Sequence, residues 1–425
     1  MIENFLHYVW IHKKFDVLHL KTTQHQKLDI LAVGAPNPNS GPDFFNGQIR
    51  IDDQFWAGNI EIHVKSSDWF VHRHESDPAY DNVILHVVYE DDTSIFRKDN
   101  SVIPTLELKP YLHPSLMERF HKLFRTKKSW INCEEDFKEV SEFTRSHWYE
   151  RLFVERLEQK CQMIHRLMTD LNQDWEAILF KMLTKNFGLK VNGDAFFSLA
   201  NAINFSVIRK LQHNPMQLEA LLFGQAGLLD IESDIAYQQS LSSEYRYLKQ
   251  KFQLKEEGMI RMQFFRLRPS NFPTIRLSQL SQLYSRQHQL FSKVMEIETL
   301  SEYYELLQVP TSPFWDNHYT FSKTVKSSKK RMTKAFVDLL LINTILPMKF
   351  SYARQQGQHM NQHILTILQD ISSEKNTIVK GFERIHKTSK SAFESQALIQ
   401  LKTQYCDKNK CLKCAIGNAL LSNKF

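Results

Sequence analysis

The apolar residues of this chain change their period once. Before about residue 110 they alternate, as in NGQIRID, NIEIHVK and NVILHVVY, which is the two-residue repeat of half-buried strands. From PSLMERFHKLF onward they recur every three or four residues, as the faces of helices do. That single change points to an α+β chain, with a strand-rich part over residues 1–112 and a larger, mostly helical part over 113–425. At 425 residues the chain is too long for one small core, and 30 Phe, 14 Tyr and 7 Trp can fill a large one. With only 12 Gly and 13 Pro, low complexity is excluded.

Residues 2–14 read as a short helix with Phe5, Leu6, Tyr8, Val9 and Trp10 available for packing. Residues 19–34 read as a hairpin that ends in the turn-rich GAPNPNSGPD. Long helical patterns follow at 141–171, 174–187, 194–211 and 215–228. In the last of these, Gly224 and Gly227 suggest close helix packing. Pro-bounded connections lie at 264–283 and 309–323. In the first, Arg266, Arg268 and Arg276 either grip a nucleic-acid backbone or tie helices together internally.

The net charge of +7 and a pI near 8.9 are compatible with nucleic acid as a partner. Two clusters concentrate that charge, HKLFRTKK at 121–128 and KTVKSSKKRMTK at 323–334, each expected as a solvated helix face. The longest apolar run, 336–350, is interrupted by Asp338, Asn343 and Pro347 and falls short of a membrane span, and no leader pattern opens the chain. A cytoplasmic protein without a membrane partner is the expectation. Five Cys in a chain of this length do not make a disulfide framework.

Chemistry concentrates in GPDFFNGQIRIDDQFWAGNIEIHVKSSDW, residues 41–69. Glu61, His63 and Lys65 share one face of a strand, and Asp43 reaches that face if the two strands form a hairpin. Two carboxylates can hold Mg2+ or Mn2+, activate water and clamp a phosphate, while a cation steadies the transition state. The alternative is a polar hairpin face that meets solvent, with Asp43 an ordinary turn residue.

At these residues the chain resembles the PD-(D/E)XK nuclease superfamily. Pro42-Asp43 looks like its PD element and Glu61 like the acid of its second element. The family's lysine position holds His63 here, and Lys65 lies one alternation further on. The resemblance implies a restriction-endonuclease-like mixed sheet and metal-dependent cleavage of DNA or RNA. Asp43 and Glu61 would ligate magnesium, Lys65 would assist water, His63 would be a variant helper, and Glu3 an extra acid. A non-catalytic nucleic-acid- or protein-binding scaffold is the alternative from another class.

The next stretch adds Asp68, His72, His74, Asp77, Asp81 and His86. His72 and His74, spaced i, i+2 on an extended segment, could join His63 or His86 on zinc or manganese, giving a metal-dependent hydrolase built on histidine; a solvated loop is the plainer reading. His86, inside NVILHVVY, reads as a core histidine bonded to backbone.

Near the other end, CDKNKCLKC places Cys406, Cys411 and Cys414 close together. Three thiols so spaced suit a metal, with Cys133 the best distant fourth ligand and Cys161 or a histidine behind it. Zinc or a [4Fe–4S] cluster are both chemically open, as is a reduced tail without metal; some PD-(D/E)XK nucleases carry such a cluster with one distant cysteine. Across nearly its whole length, through the GPDF…GNIEIHVKSSDW block, QLEALLFGQAGLL, RPSNFPTIRL and KCLKCAIG, the chain also resembles a bacterial family of unknown function (domain of unknown function 2851).

Overall fold

The computed structural model describes residues 3–124, 130–230, 233–255, 257–358 and 362–422. It comprises two compact units, Met1–Trp148 with Lys402–Phe425, and Tyr149–Leu401. A mixed sheet precedes a mostly helical region, the α+β order that the change of apolar period implies.

The first unit opens with α1 (Glu3–Ile11). Glu3 sits in its first turn, where a carboxylate complements the helix dipole, and Phe5, Leu6, Tyr8, Val9 and Trp10 are buried. Six strands follow: β1 (Leu28–Ala32), β2 (Ala35–Pro36), β3 (Phe44–Ile51), β4 (Gln54–Lys65), β5 (Val83–Glu90) and β6 (Thr105–Glu107). The order is β1-β3-β4-β5-β6, with β2 also pairing β3. The β1/β3 and β3/β4 pairs are antiparallel, whereas β4/β5 and β5/β6 are parallel. The crossover from β4 to β5 carries the short helix α2 (Asp68–Val71), and α3 (Pro114–Leu123) follows β6. Of the expected hairpin at 19–34, a single bridge, Lys21 to Lys27, precedes β1, whose partner is β3.

One irregularity in this sheet decides the geometry of the site. Near the hairpin end β3 and β4 pair as Gly47↔Gly58, but at the far end they pair as Phe44↔Ile60. A bulge between these positions, with Asn46 in the left-handed region at φ 57°, shifts the register by one residue. The shifted register sets Asp43 opposite Glu61. Without the bulge Asp43 would face Ile62, whose side chain points to the other side of the sheet. The glycine pair permits the close approach: a Cβ on Gly47 would lie 2.4 Å from Ile60 Cδ1.

The second unit is helical. It takes most of α4 (Glu142–Asp170), then α5 (Trp175–Phe187), α6 (Leu189–Ala202), α7 (Phe205–Leu211), α8 (Pro215–Gln225), α9 (Ala236–Phe252) and α10 (Pro273–Arg286). The expected helix over 194–211 is two helices, because Asn204 leaves the helical conformation and caps α7 through its side chain on the Ser206 amide. Gly224 does serve close packing: a Cβ there would lie 2.0 Å from Cγ of Tyr245 on α9. Gly227 does something else, reversing the chain after α8 at φ +69°.

Arg276 lies buried on α10, with its guanidinium on Gln279 and Asn271, so it ties the fold together through amides. The basic stretch 323–333 is short strand and irregular backbone instead of a helix face, and Lys330 within it is buried against the carbonyls of Trp315 and Asp316. Residues 125–128 of the other basic cluster lie outside the described residues. Lys334–Gln355 is long and apolar enough to cross a membrane by length and composition, and 67% of its most apolar stretch is buried inside the protein.

Candidate metal centre

β4 carries the centre because both of its faces are covered in the middle. Ile60 and Ile62 are fully buried on one side, while Glu61, 4% exposed, and His63, 1% exposed, are buried on the other. Burying a carboxylate and an imidazole side by side requires partners, and these come from three other segments.

The first is the start of β3. The Asp43 amide donates to Glu61 Oε2 at 3.0 Å, and Asp43 Oδ2 accepts from the Ile62 amide at 3.0 Å. The two carboxylates are therefore interlocked through the ladder. The second is α1, whose His7 Nε2 lies 3.1 Å from Asp43 Oδ2 and 3.9 Å from Glu3 Oε1. Burial lowers the His7 pKa, but the hydrogen bond and charge of Asp43, with the charges of Glu3 and Glu61, outweigh it and raise it above its ordinary value. Glu3 is raised by burial first, and then by the charge of Asp43.

The third is the crossover after α2. His72 closes that helix, Arg73 takes a left-handed φ of 61°, and His74 turns back beneath it. This reversal, and not an extended segment, lets two imidazoles two residues apart converge. His63 Nε2 lies 3.1 Å from His72 Nδ1 and 3.5 Å from Glu61 Oε1, and His74 Nε2 lies 3.3 Å from the same Glu61 oxygen. The His74 ring is clamped, stacked on Tyr80 at 3.7 Å and edge-on to Trp69 at 5.3 Å. Behind it Trp69, Val83, Ile95 and Ile103 form a dry cluster.

His86 is buried on β5 as expected, but its partner is not backbone: its Nε2 sits 2.8 Å from His63 Nδ1. Burial and the neighbouring imidazoles push His63 down to about 3 and His86 well below its ordinary range, so both rings are neutral near pH 7. Burial, with the Asp43 charge adding to it, raises Glu61.

Among the described residues, two groups of three potential ligands bring their donor atoms within 4.8 Å of one another: Glu3, His7 and Asp43, and His63, His72 and His74. Glu61 touches members of both. Lys65 is not drawn in. It lies at the exposed end of β4, its ammonium 3.8 Å from Asp92 Oδ2, while its amide binds Asp68. Asp77 caps the short helical turn at Pro78, and Asp81 pairs with Lys98.

The four expected thiols belong to one unit. Burial pushes the Cys133 and Cys406 thiols far up, with the charges of Cys414 and Cys411 adding to both and that of Cys133 adding to Cys406. Asn132 Nδ2 lies 3.4 Å from Cys411 Sγ, and Cys414 is buried. These sulfurs do not form a group within 4.8 Å, as the histidines do. Cys161 is elsewhere, in the second unit, bonded to the Pro347 carbonyl.

Residues 3–377 match a family described as a protein of unknown function, DUF2851. The chain belongs to this family. The matched region includes every residue of the DUF2851 strand-face centre, from Glu3 to His86, and leaves out Cys406, Cys411 and Cys414. No curated protein and no solved structure matches.

Sequence reasoning reached Asp43, Glu61, Glu3, His63, His72 and His74 but missed His7. The available signal was its spacing: His7 follows Glu3 by four residues, which puts both on one side of a helix otherwise rich in apolar residues.

Proposed function

We propose that the sheet-bearing unit of this DUF2851 protein hydrolyses phosphodiester bonds of nucleic acid with the help of a divalent metal. Asp43 and Glu61, with His7 and Glu3 beside them, would hold Mg2+ or Mn2+. The observation that carries the reading is the interlock of Asp43 and Glu61 across the shifted β3–β4 register, which seats two carboxylates from adjacent strands on one half-buried face. A metal held there can activate water and oppose the charge that develops on the phosphate. The position after Glu61 on that face is taken by His63, so the reading keeps the carboxylates and leaves Lys65 out of the chemistry. The positive balance of the chain suits a polyanionic substrate.

The test is cleavage of single- and double-stranded DNA and RNA with Mg2+ or Mn2+, comparing wild type with Asp43→Asn and Glu61→Gln. Metal-dependent cutting lost in both variants supports the reading. Undiminished cutting in both, or none by the wild type, overturns it and favours a binding scaffold.

The cysteine quartet would hold a thiophilic metal centre as a clip between residue 133 and the 406–414 segment. A single zinc ion needs sulfurs about 3.8 Å apart, given Zn–S bonds of about 2.3 Å. A [4Fe–4S] cluster would use the same four thiolates. Iron, acid-labile sulfide and visible absorption in anaerobically purified protein would distinguish the cluster from colourless zinc.

A further inference from the structure

We infer that His63, His72 and His74, with Glu61 shared from the neighbouring Asp43 carboxylate site, form a second metal site selective for a zinc-class divalent cation. This goes beyond the phosphodiester reading, because the cation binds whether or not that substrate is correct.

Spacing fits such an ion. A tetrahedral ion with nitrogen and oxygen ligands at about 2.0–2.2 Å requires donor atoms about 3.3–3.6 Å apart. The measured separations are 3.1 Å for His63 Nε2 to His72 Nδ1, 3.5 Å for His63 Nε2 to Glu61 Oε1, and 3.3 Å for His74 Nε2 to Glu61 Oε1. Three of the six edges of such a tetrahedron, spanned by donors from two segments of chain, are thus near that length, and the three imidazoles bring their donor atoms within 4.8 Å of one another.

The placement of His74 points the same way. It is 9% exposed, and its buried Nε2 lies against the Glu61 carboxylate at 3.3 Å without a well-aligned hydrogen bond. A buried nitrogen left in that state costs stability unless something accepts its lone pair. A cation between His74 and Glu61 does so. The outer shell is also in place: with Nε2 on the metal, His63 carries its proton on Nδ1 and donates it to His86 Nε2 at 2.8 Å, which fixes the ring's tautomer and orientation. Tyr80 and Trp69 fix His74 from the other side.

The ligand set selects the ion. Three imidazoles and one carboxylate suit zinc, and less well manganese, whereas magnesium prefers oxygen ligands throughout. The neighbouring Glu3, His7 and Asp43 group is richer in oxygen, and Glu61 lies between the two.

The test is cobalt and zinc binding by the full chain after metal stripping. His72→Ala is the first variant, because His72 is exposed and its loss leaves the core intact. Wild type should bind cobalt with the intense visible bands of tetrahedral nitrogen–oxygen coordination, distinct from the sulfur charge-transfer bands of the cysteine quartet. His72→Ala and His74→Gln should weaken that signal's affinity by on the order of a hundredfold or more, above the usual loss from an outer-shell change. Asp43→Asn should leave it in place even where cleavage is lost, which separates this proposal from the phosphodiester one. Absence of the nitrogen–oxygen signal in wild type overturns the proposal. So does equal affinity in His72→Ala and His74→Gln proteins with native melting curves.

Discussion

Each unit buries a glutamate, and the two are used differently. Glu219, on α8 in the helical unit, is 1% exposed and is surrounded by donors: Trp315 Nε1 at 2.6 Å and Ser312 Oγ at 3.2 Å, with Ser278 and Tyr237 also bonded to it. Glu61, equally hidden in the sheet unit, receives one backbone amide and otherwise looks at imidazole nitrogens. Burial raises the pKa of both carboxylates. Donors around a buried acid complete a structure, whereas potential metal ligands around one leave room for a cation. On the proposed reading, the contrast separates an acid that completes the fold from one that would hold a metal.

The largest expected effect is on cleavage. Glu61→Gln should lower the metal-dependent rate by a factor on the order of a thousand, a magnitude typical of losing a principal electrostatic element. Its melting temperature should stay near that of wild type. A melting loss as large as that of Glu219 variants would erase the distinction between the two acids.

Glu219→Leu is the opposite case. It strands the Trp315, Ser312 and Tyr237 donors and should destabilise the helical unit by about 3 kcal/mol, read by denaturant unfolding, without changing metal binding. Gly224→Ala follows, with about 1–3 kcal/mol lost where a methyl meets the Tyr245 ring.

How far the sequence discloses this division depends on distance along the chain. Strand parity alone places Glu61 and His63 on one face, and the change of period near residue 110 marks where strands give way to helices. The register shift at Asn46 is not encoded by parity, so the opposition of Asp43 to Glu61 emerges only once the strands are paired. Lys65 shows the limit of parity: it shares the face, yet lies past the covered part of β4 and turns to Asp92. His7 reaches Asp43 across 36 residues by helix-to-sheet packing, which no local pattern describes. Thiol chemistry alone suggested Cys133 as the distant fourth ligand, and it lies in the same unit as Cys406, Cys411 and Cys414.

A smaller effect comes from Lys160 in the helical unit. Its ammonium rests on the Ile342 carbonyl and Gln396, and burial, with Arg156 nearby, pushes its pKa down to about 7 from an ordinary 10.5; Glu374 and Cys161 oppose the shift. Between those values the unfolded chain binds the proton and the folded one does not, so this group makes stability rise with pH from about 7 to 10.5. In Lys160→Met that contribution should vanish, as pH-dependent unfolding would show. The least effect is expected from Lys65→Ala, which should leave cleavage within about twofold, since an exposed ion pair contributes little.

The sheet unit is assembled from two stretches that bracket all of Tyr149–Leu401. During synthesis its strands and Cys133 emerge first, then wait while the helical unit is made, and only afterwards do Cys406, Cys411 and Cys414 arrive. A metal held by these thiols would therefore load late, after the intervening helices have been translated. Chains interrupted within the helical unit would hold every residue of the strand-face centre but only one of the four thiols.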